Sequence, residues 1–154
     1  MYILPKGNYY TVIKVAKSQL KLQLIQDNKT LLEIPLSPQD WSKEDLENEF
    51  NEVEDYFERF SKFYDALSHE TRLRMMKRLI EEENHTMRFA DFMRELDLNP
   101  KTVWENSRKL EEGGLLEKKG RGKYSCSNFG QTAFIMINFA LRRLVEFLEG
   151  IEDY

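Results

Sequence analysis

The stretch Glu117–Tyr124 (EKKGRGKY) sets four cations, Lys118, Lys119, Arg121 and Lys123, around two glycines, with Glu117 as the only acid. Cations on a Gly-Arg-Gly tip suit phosphate oxygens, because they displace counterions without reading sequence. Two readings are open: a solvated turn, or a surface that touches something negative. The net charge of −4 does not decide between them, because the charges are segregated. From Asn99 to Ser125 there are seven Lys and Arg against four Glu, whereas residues 44–58 carry eight acids and no base. The local field decides what a surface attracts. The acidic run reads first as a solvated helix face, with contact to a basic partner as the other possibility.

Other chemistry is thinly supplied. His69, His85 and Cys126 are the only imidazoles and the only thiol, with no Cys pair and no His-x-x-x-His spacing, so no metal and no other cofactor is expected. Both histidines read as surface or capping residues. Cys126 reads as a small inward residue of a strand, with a redox-sensitive thiol as the alternative. A single cysteine cannot form an internal disulfide, which suits a reducing compartment. There is no Gly-rich phosphate loop, no Gly-x-Ser-x-Gly and no zinc motif, so the chain is not expected to be an enzyme. No apolar run reaches the roughly 18 residues of a membrane helix. The start MYILPKGNYY lacks the features of a signal peptide. The expected location is the cytoplasm, with the nucleoid, and no membrane partner is expected.

These side chains need elements to position them. Residues 9–36 read as a small β-meander: Leu20, Leu22 and Leu24 alternate with polar residues, and DNK (27–29) marks a turn. Ser42 with Asp45 forms a helix-capping pattern, and Trp41 with Leu46 a hydrophobic staple. From there Leu46, Phe50, Val53, Phe57, Phe60, Tyr64 and Leu67 recur in 4-3 steps, the seam of one long helix. Such a seam packs either on its own domain or on another subunit. Helices are expected at 67–82, with Leu73, Met76, Leu79 and Ile80 inward, and at 85–97, with Phe89, Phe92, Met93 and Leu96 inward. Asn99 and Pro100 open a further helix, 101–112, that stops at Gly113-Gly114. A hairpin follows around the Gly-Arg-Gly tip. A last helix over 132–149 steps through Phe134, Ile137, Leu141, Leu144 and Leu148.

Helix, helix, three-residue turn, helix and basic hairpin is the order of a winged helix-turn-helix. The segment ALSHETRLRMMKRLI (66–80) resembles the opening helix of ArsR-type winged-helix transcription regulators. LDLNPKTVWENSRKLEEGGLLEKKGRGKYSCSNFGQTA (96–133) is similar to their turn, recognition helix and wing. The resemblance covers about residues 65–133, and MarR-like regulators share the same order.

Together with the elements read above, whose first 64 residues lie outside the resemblance, it leads to an expected α+β fold that is mainly α. Its parts are a meander (1–40), a long helix (41–65), a winged helix-turn-helix (66–131) and a C-terminal dimerisation helix (132–154). It implies a repressor-type homodimer on double-stranded DNA. Lys101, Thr102, Trp104, Glu105 and Arg108 would face the major groove, and Lys118, Lys119, Arg121 and Lys123 the backbone or minor groove. Val103 and Leu110 would point into the core. The dimer interface would use Leu46, Phe50, Val53, Phe57, Phe60, Phe134, Ile137, Leu141, Leu144 and Leu148. Three positions depart from the pattern. Ser107 stands where a leucine is usual. Glu105 is an acid on the outer face. Trp104 is bulky where a small residue is common, and packing under the wing is its other expected place. The recognition helix also lacks the Cys-x-Cys of metal-sensing relatives. Glu105 and Trp104 favour a second reading, a winged-helix module that binds another protein of the transcription machinery.

Overall fold

A computed structural model describes residues 3–6, 9–12 and 19–152. The chain is mixed α+β and mainly helical. It divides into two units, Met1–Glu54 and Asp55–Tyr154.

The first unit holds two hairpins and a helix. Strands β1 (Ile3–Lys6) and β2 (Tyr9–Val12) pair antiparallel with Lys6 opposite Tyr9. Strands β3 (Lys21–Gln26) and β4 (Lys29–Pro35) form a second antiparallel pair. Asp27 and Asn28 join β3 to β4, both with positive φ (50° and 61°), the conformation of a tight hairpin turn. Leu22 pairs with Ile34 and Leu24 with Leu32 on one face, while Lys21 and Gln23 bind Glu33 on the other. Among the described residues the two hairpins are separate two-stranded sheets, where a meander is expected over 9–36. The part of the expected first strand beyond Val12 lies outside the described residues.

Helix α1 (Lys43–Glu54) starts as its cap predicts. The Ser42 hydroxyl accepts from the Asp45 backbone N–H at 3.0 Å and donates to the Asp45 carboxylate at 2.7 Å. The Trp41 indole N–H donates to the Pro35 carbonyl at 2.9 Å. The expected single helix does not continue: it is interrupted at Asp55-Tyr56, and α2 (Phe57–Leu67) begins afresh. A continuous helix would stack Glu52 over Asp55 and Glu54 over Glu58, like-charge pairs at i,i+3 and i,i+4.

The second unit contains the core. Helices α3 (Glu70–Glu81), α4 (Phe89–Leu96) and α5 (Pro100–Glu112) pack with α2 around Phe63, Met75, Met76, Leu79, Phe92, Val103 and Leu110. Of the expected inward residues, Met76, Leu79 and Phe92 are fully buried. Leu73, Ile80, Phe89, Met93 and Leu96 pack half-buried against them. The α2–α5 crossing is close: a Cβ on Gly113 would sit 2.5 Å from the Ala66 Cβ and 3.1 Å from the Lys62 carbonyl. Gly113 therefore serves the crossing as well as the helix end.

The helix expected over 85–97 starts only at Phe89. Thr86–Arg88 are instead strand β5, an edge of a three-stranded antiparallel sheet with β6 (Leu116–Lys118) and the central β7 (Lys123–Cys126). Met87 lies opposite Tyr124 and both are buried, so pairing with a distant strand overrides the local helical pattern.

Helix α6 (Asn128–Glu152) begins four residues before the expected start. Ser127 explains this: its hydroxyl accepts from the Gly130 N–H at 2.8 Å and donates to the Gly114 carbonyl at 2.7 Å. Two residues of the expected α6 seam belong to the chain's own core. Phe134 is buried there and Ile137 packs against it. The reason is the earlier start, which lays the first turns of α6 on the core beside Ala133. Among the described residues no helix is long and apolar enough to cross a membrane.

Candidate nucleic-acid interface

Helix α4 ends at Asp97 in the left-handed conformation (φ 52°), and α5 starts three residues later. The Asn99 side-chain oxygen accepts from the Thr102 backbone N–H at 2.8 Å, and Pro100 takes the first helical position. The Thr102 hydroxyl donates to the same oxygen at 3.0 Å, so it serves the cap.

Helix α5 has two faces. Val103 and Leu110 are fully buried, as their register predicts. Ser107 is also buried, and its hydroxyl is the only buried side-chain polar atom without a partner among the described residues. The expected leucine position is thus a core position occupied by a smaller, polar side chain.

Lys101, Trp104, Glu105 and Arg108 lie on the exposed face. Its cations are paired. Lys101 stands 3.8 Å from Glu105 and Arg108 3.2 Å from Glu112, while Lys109, between the faces, reaches Asp65 at 2.9 Å. The Lys109 ammonium holds the Asp65 carboxyl below its ordinary range. Glu105, awkward as a lone acid, is therefore a partner of Lys101. Trp104 is not under the wing: it is 53% exposed, and the Arg108 guanidinium lies 5.3 Å from its ring centre.

The hairpin presents its charges differently. At its tip Gly120 and Gly122 have φ of 76° and 66°, conformations that favour glycine. Lys119 pairs with Glu117 at 2.9 Å. Lys118, Arg121 and Lys123 are exposed and have no carboxylate within ion-pair distance among the described residues.

The sheet adds a cation that sequence reasoning missed. Arg88 on β5 lies directly opposite Lys123 on β7 and is exposed. Like charges facing across a sheet are unfavourable unless an anion joins them. Only the non-local β5–β7 pairing reveals this neighbour; the order of residues carries no signal for it.

A second missed residue holds α5 in place. Arg72 is buried, and its guanidinium donates to the carbonyls of Ala66 and Asp65 at 2.7 Å each, to the Ser68 hydroxyl at 3.3 Å and to the Asn106 side-chain oxygen at 3.1 Å. It closes the C-terminal end of α2 and ties it to α5. Asn106 in turn donates to the Thr102 carbonyl at 2.8 Å.

The remaining reactive groups are structural. His69 caps α3, its Nδ1 accepting from the Thr71 N–H at 3.2 Å, and His85 Nδ1 lies 3.0 Å from the Ile80 carbonyl. No cluster of three or more His, Cys, Asp or Glu suited to a metal ion occurs among the described residues. Cys126 is buried on the inner face of β7, and burial pushes its thiol up to about 11. Its thiolate is therefore scarce at neutral pH. Labelling by a thiol reagent at neutral pH is expected to be about 10- to 100-fold slower in the folded protein than in urea. The raised value also has a stability consequence: above the ordinary thiol value of 9.0 the unfolded chain ionises first, so stability falls as the pH rises from there towards about 11.

The geometry therefore offers an exposed helix face whose cations have carboxylates beside them, an aromatic–guanidinium pair, and a sheet and tip with open positive charge. Neither a protein-family model nor a curated protein matches this chain.

Proposed function

We propose that the second unit is a winged helix-turn-helix of the ArsR-like kind and that the protein binds double-stranded DNA as a homodimer to regulate transcription, in the manner of a repressor. The observation that carries this reading is the set of open cations around the hairpin: Arg88 and Lys123 opposite each other on β5 and β7, Arg121 at the tip, and Lys118 on the other face of the sheet. Helix α5 follows α4 after a three-residue turn and exposes one face, the arrangement that places a recognition helix in a major groove. The hairpin then meets phosphates beside it.

The homodimer is supported by apolar surface on the helices. Leu141 and Leu148 of α6 are about half exposed, as are Phe139 and Phe147, and Leu144 is half-buried. Phe50 of α1 and Phe57 of α2 are 61% and 52% exposed, whereas Leu46, Val53 and Phe60 are half-buried. A dimer built on such faces sets two recognition helices about 34 Å apart, one DNA turn. Sedimentation of Phe57→Glu and Leu141→Glu is expected to show a shift towards monomer in at least one variant. An unchanged mass in both places the interface elsewhere.

One observation favours a second reading, a module that binds another protein: Lys101, Arg108 and Lys109 are already paired with carboxylates. Anisotropy of a labelled random-sequence duplex, titrated at several salt concentrations, separates the two. Micromolar binding that weakens steeply with salt is expected for the DNA reading. No binding at low salt overturns it.

A further inference from the structure

We propose that Trp104 is a specificity residue that reads the C5 methyl group of thymine in the major groove, an inference that rests on the DNA-binding reading above. The exposed face of α5 presents Lys101, Trp104, Glu105 and Arg108 at steps of three, one and three residues, opposite the buried Val103, Ser107 and Leu110. On that face Lys101 is engaged by Glu105 and Arg108 by Glu112. Each cation therefore has a carboxylate beside it that offsets part of its charge towards a guanine edge. Trp104 is the one large apolar side chain there, and it sits in the N-terminal half of the helix, the part that reaches base edges in this geometry.

The Arg108 guanidinium lies 5.3 Å from the indole ring centre and its Nε 3.2 Å from Glu112, so the exposed ring has a neighbour that favours one orientation. Holding a ring in one place lowers the ordering cost of contact. In the major groove the four base pairs differ in donors and acceptors, but among the unmodified bases only thymine presents an apolar group, its C5 methyl. An exposed, oriented apolar ring amid paired charges is complementary to that group. Thymine O4, next to the methyl, is an acceptor that the indole N–H can meet as a donor.

The test uses the full chain and duplexes enriched from a random pool by binding to it. Each duplex is then remade with uracil for every thymine, which removes only the methyl groups. The wild type is expected to bind the thymine form about 4-fold tighter for each methyl that the ring meets. Trp104→Ala is expected to abolish the difference, and Trp104→Phe to keep part of it. Because Trp104 is half exposed, both variants are expected to melt with the wild type, which is checked by thermal unfolding. Equal wild-type affinity for the two forms overturns the inference while leaving DNA binding intact. So does a thymine preference that survives in Trp104→Ala. Failure of the wild type to retain any duplex at low salt overturns the DNA-binding reading itself and leaves the Trp104–Arg108 pair as a contact for a protein partner.

Discussion

Replacing Arg72 by Met is expected to destabilise the protein by about 3 kcal/mol, because it orphans buried acceptors. The side chain is buried and makes four hydrogen bonds, three of them to the end of α2 and one to Asn106 on α5. Methionine fills most of the volume but donates nothing. The Asp65 carbonyl keeps the Ser68 N–H at 3.2 Å, so its loss is partial. The Ala66 carbonyl and the Asn106 side-chain oxygen lose the Arg72 donor. A buried acceptor left unpaired costs about 1–3 kcal/mol, which sets the magnitude. In a unit of this size the melting temperature should fall by more than about 10 °C.

Arg72→Lys is expected to recover little, because an ammonium cannot span a fork of carbonyls on one side and a side-chain amide on the other. A double-mutant cycle with Asn106→Leu isolates the link between α2 and α5, and a coupling of about 1 kcal/mol or more is expected. If Arg72→Met unfolds within about 0.5 kcal/mol of the wild type, the clamp does not carry the α2–α5 junction.

The second large effect concerns the salt dependence of DNA binding. Changing Lys118, Arg121 and Lys123 to Ala together is expected to reduce the slope of log K against log salt by about 2–3, close to 0.9 for each phosphate no longer neutralised. Affinity for a random duplex near physiological salt should drop by about 100-fold or more. The choice of residues follows from the structure. Lys119 is excluded because Glu117 already neutralises it at 2.9 Å.

Lys101→Ala is the matched control, since its ammonium is shared with Glu105, and it should change the slope by less than about half a unit. Arg88→Ala is expected to behave as the wing residues do, because it faces Lys123 across the sheet. An unaltered slope in the triple variant would assign the open charge of the hairpin to another partner.

Much of the second unit is legible in the order of its residues. Asn99, Pro100 and the Gly113-Gly114 pair mark the bounds of α5 through chemistry that acts within one helical turn. In the first unit Ser42 and Asp45 mark the start of α1 in the same way. The buried face of α5 follows from spacing, because Val103 and Leu110 stand on one side of any helix drawn through them. The hairpin follows from glycines whose positive φ favours that residue.

Other features depend on neighbours far apart in the chain. Three residues, Thr86–Arg88, are too few to show an alternation, and they become a strand only because β7 lies beside them. The seam through residues 46–67 promises one helix, but the stacking of acids around Asp55 breaks it, and Phe63 and Ala66, outside the seam, are the buried residues of α2. Phe134 fits an interface stripe and belongs to the core, since a helical stripe does not say which of two apolar surfaces it will meet. The burial of Arg72 and the place of Arg88 opposite Lys123 leave no mark in the local spacing. Local rules set where helices start, stop and face. The tertiary structure alone decided which charges are buried, paired or left open, because electrostatic environment depends on neighbours that only folding brings within a few ångströms.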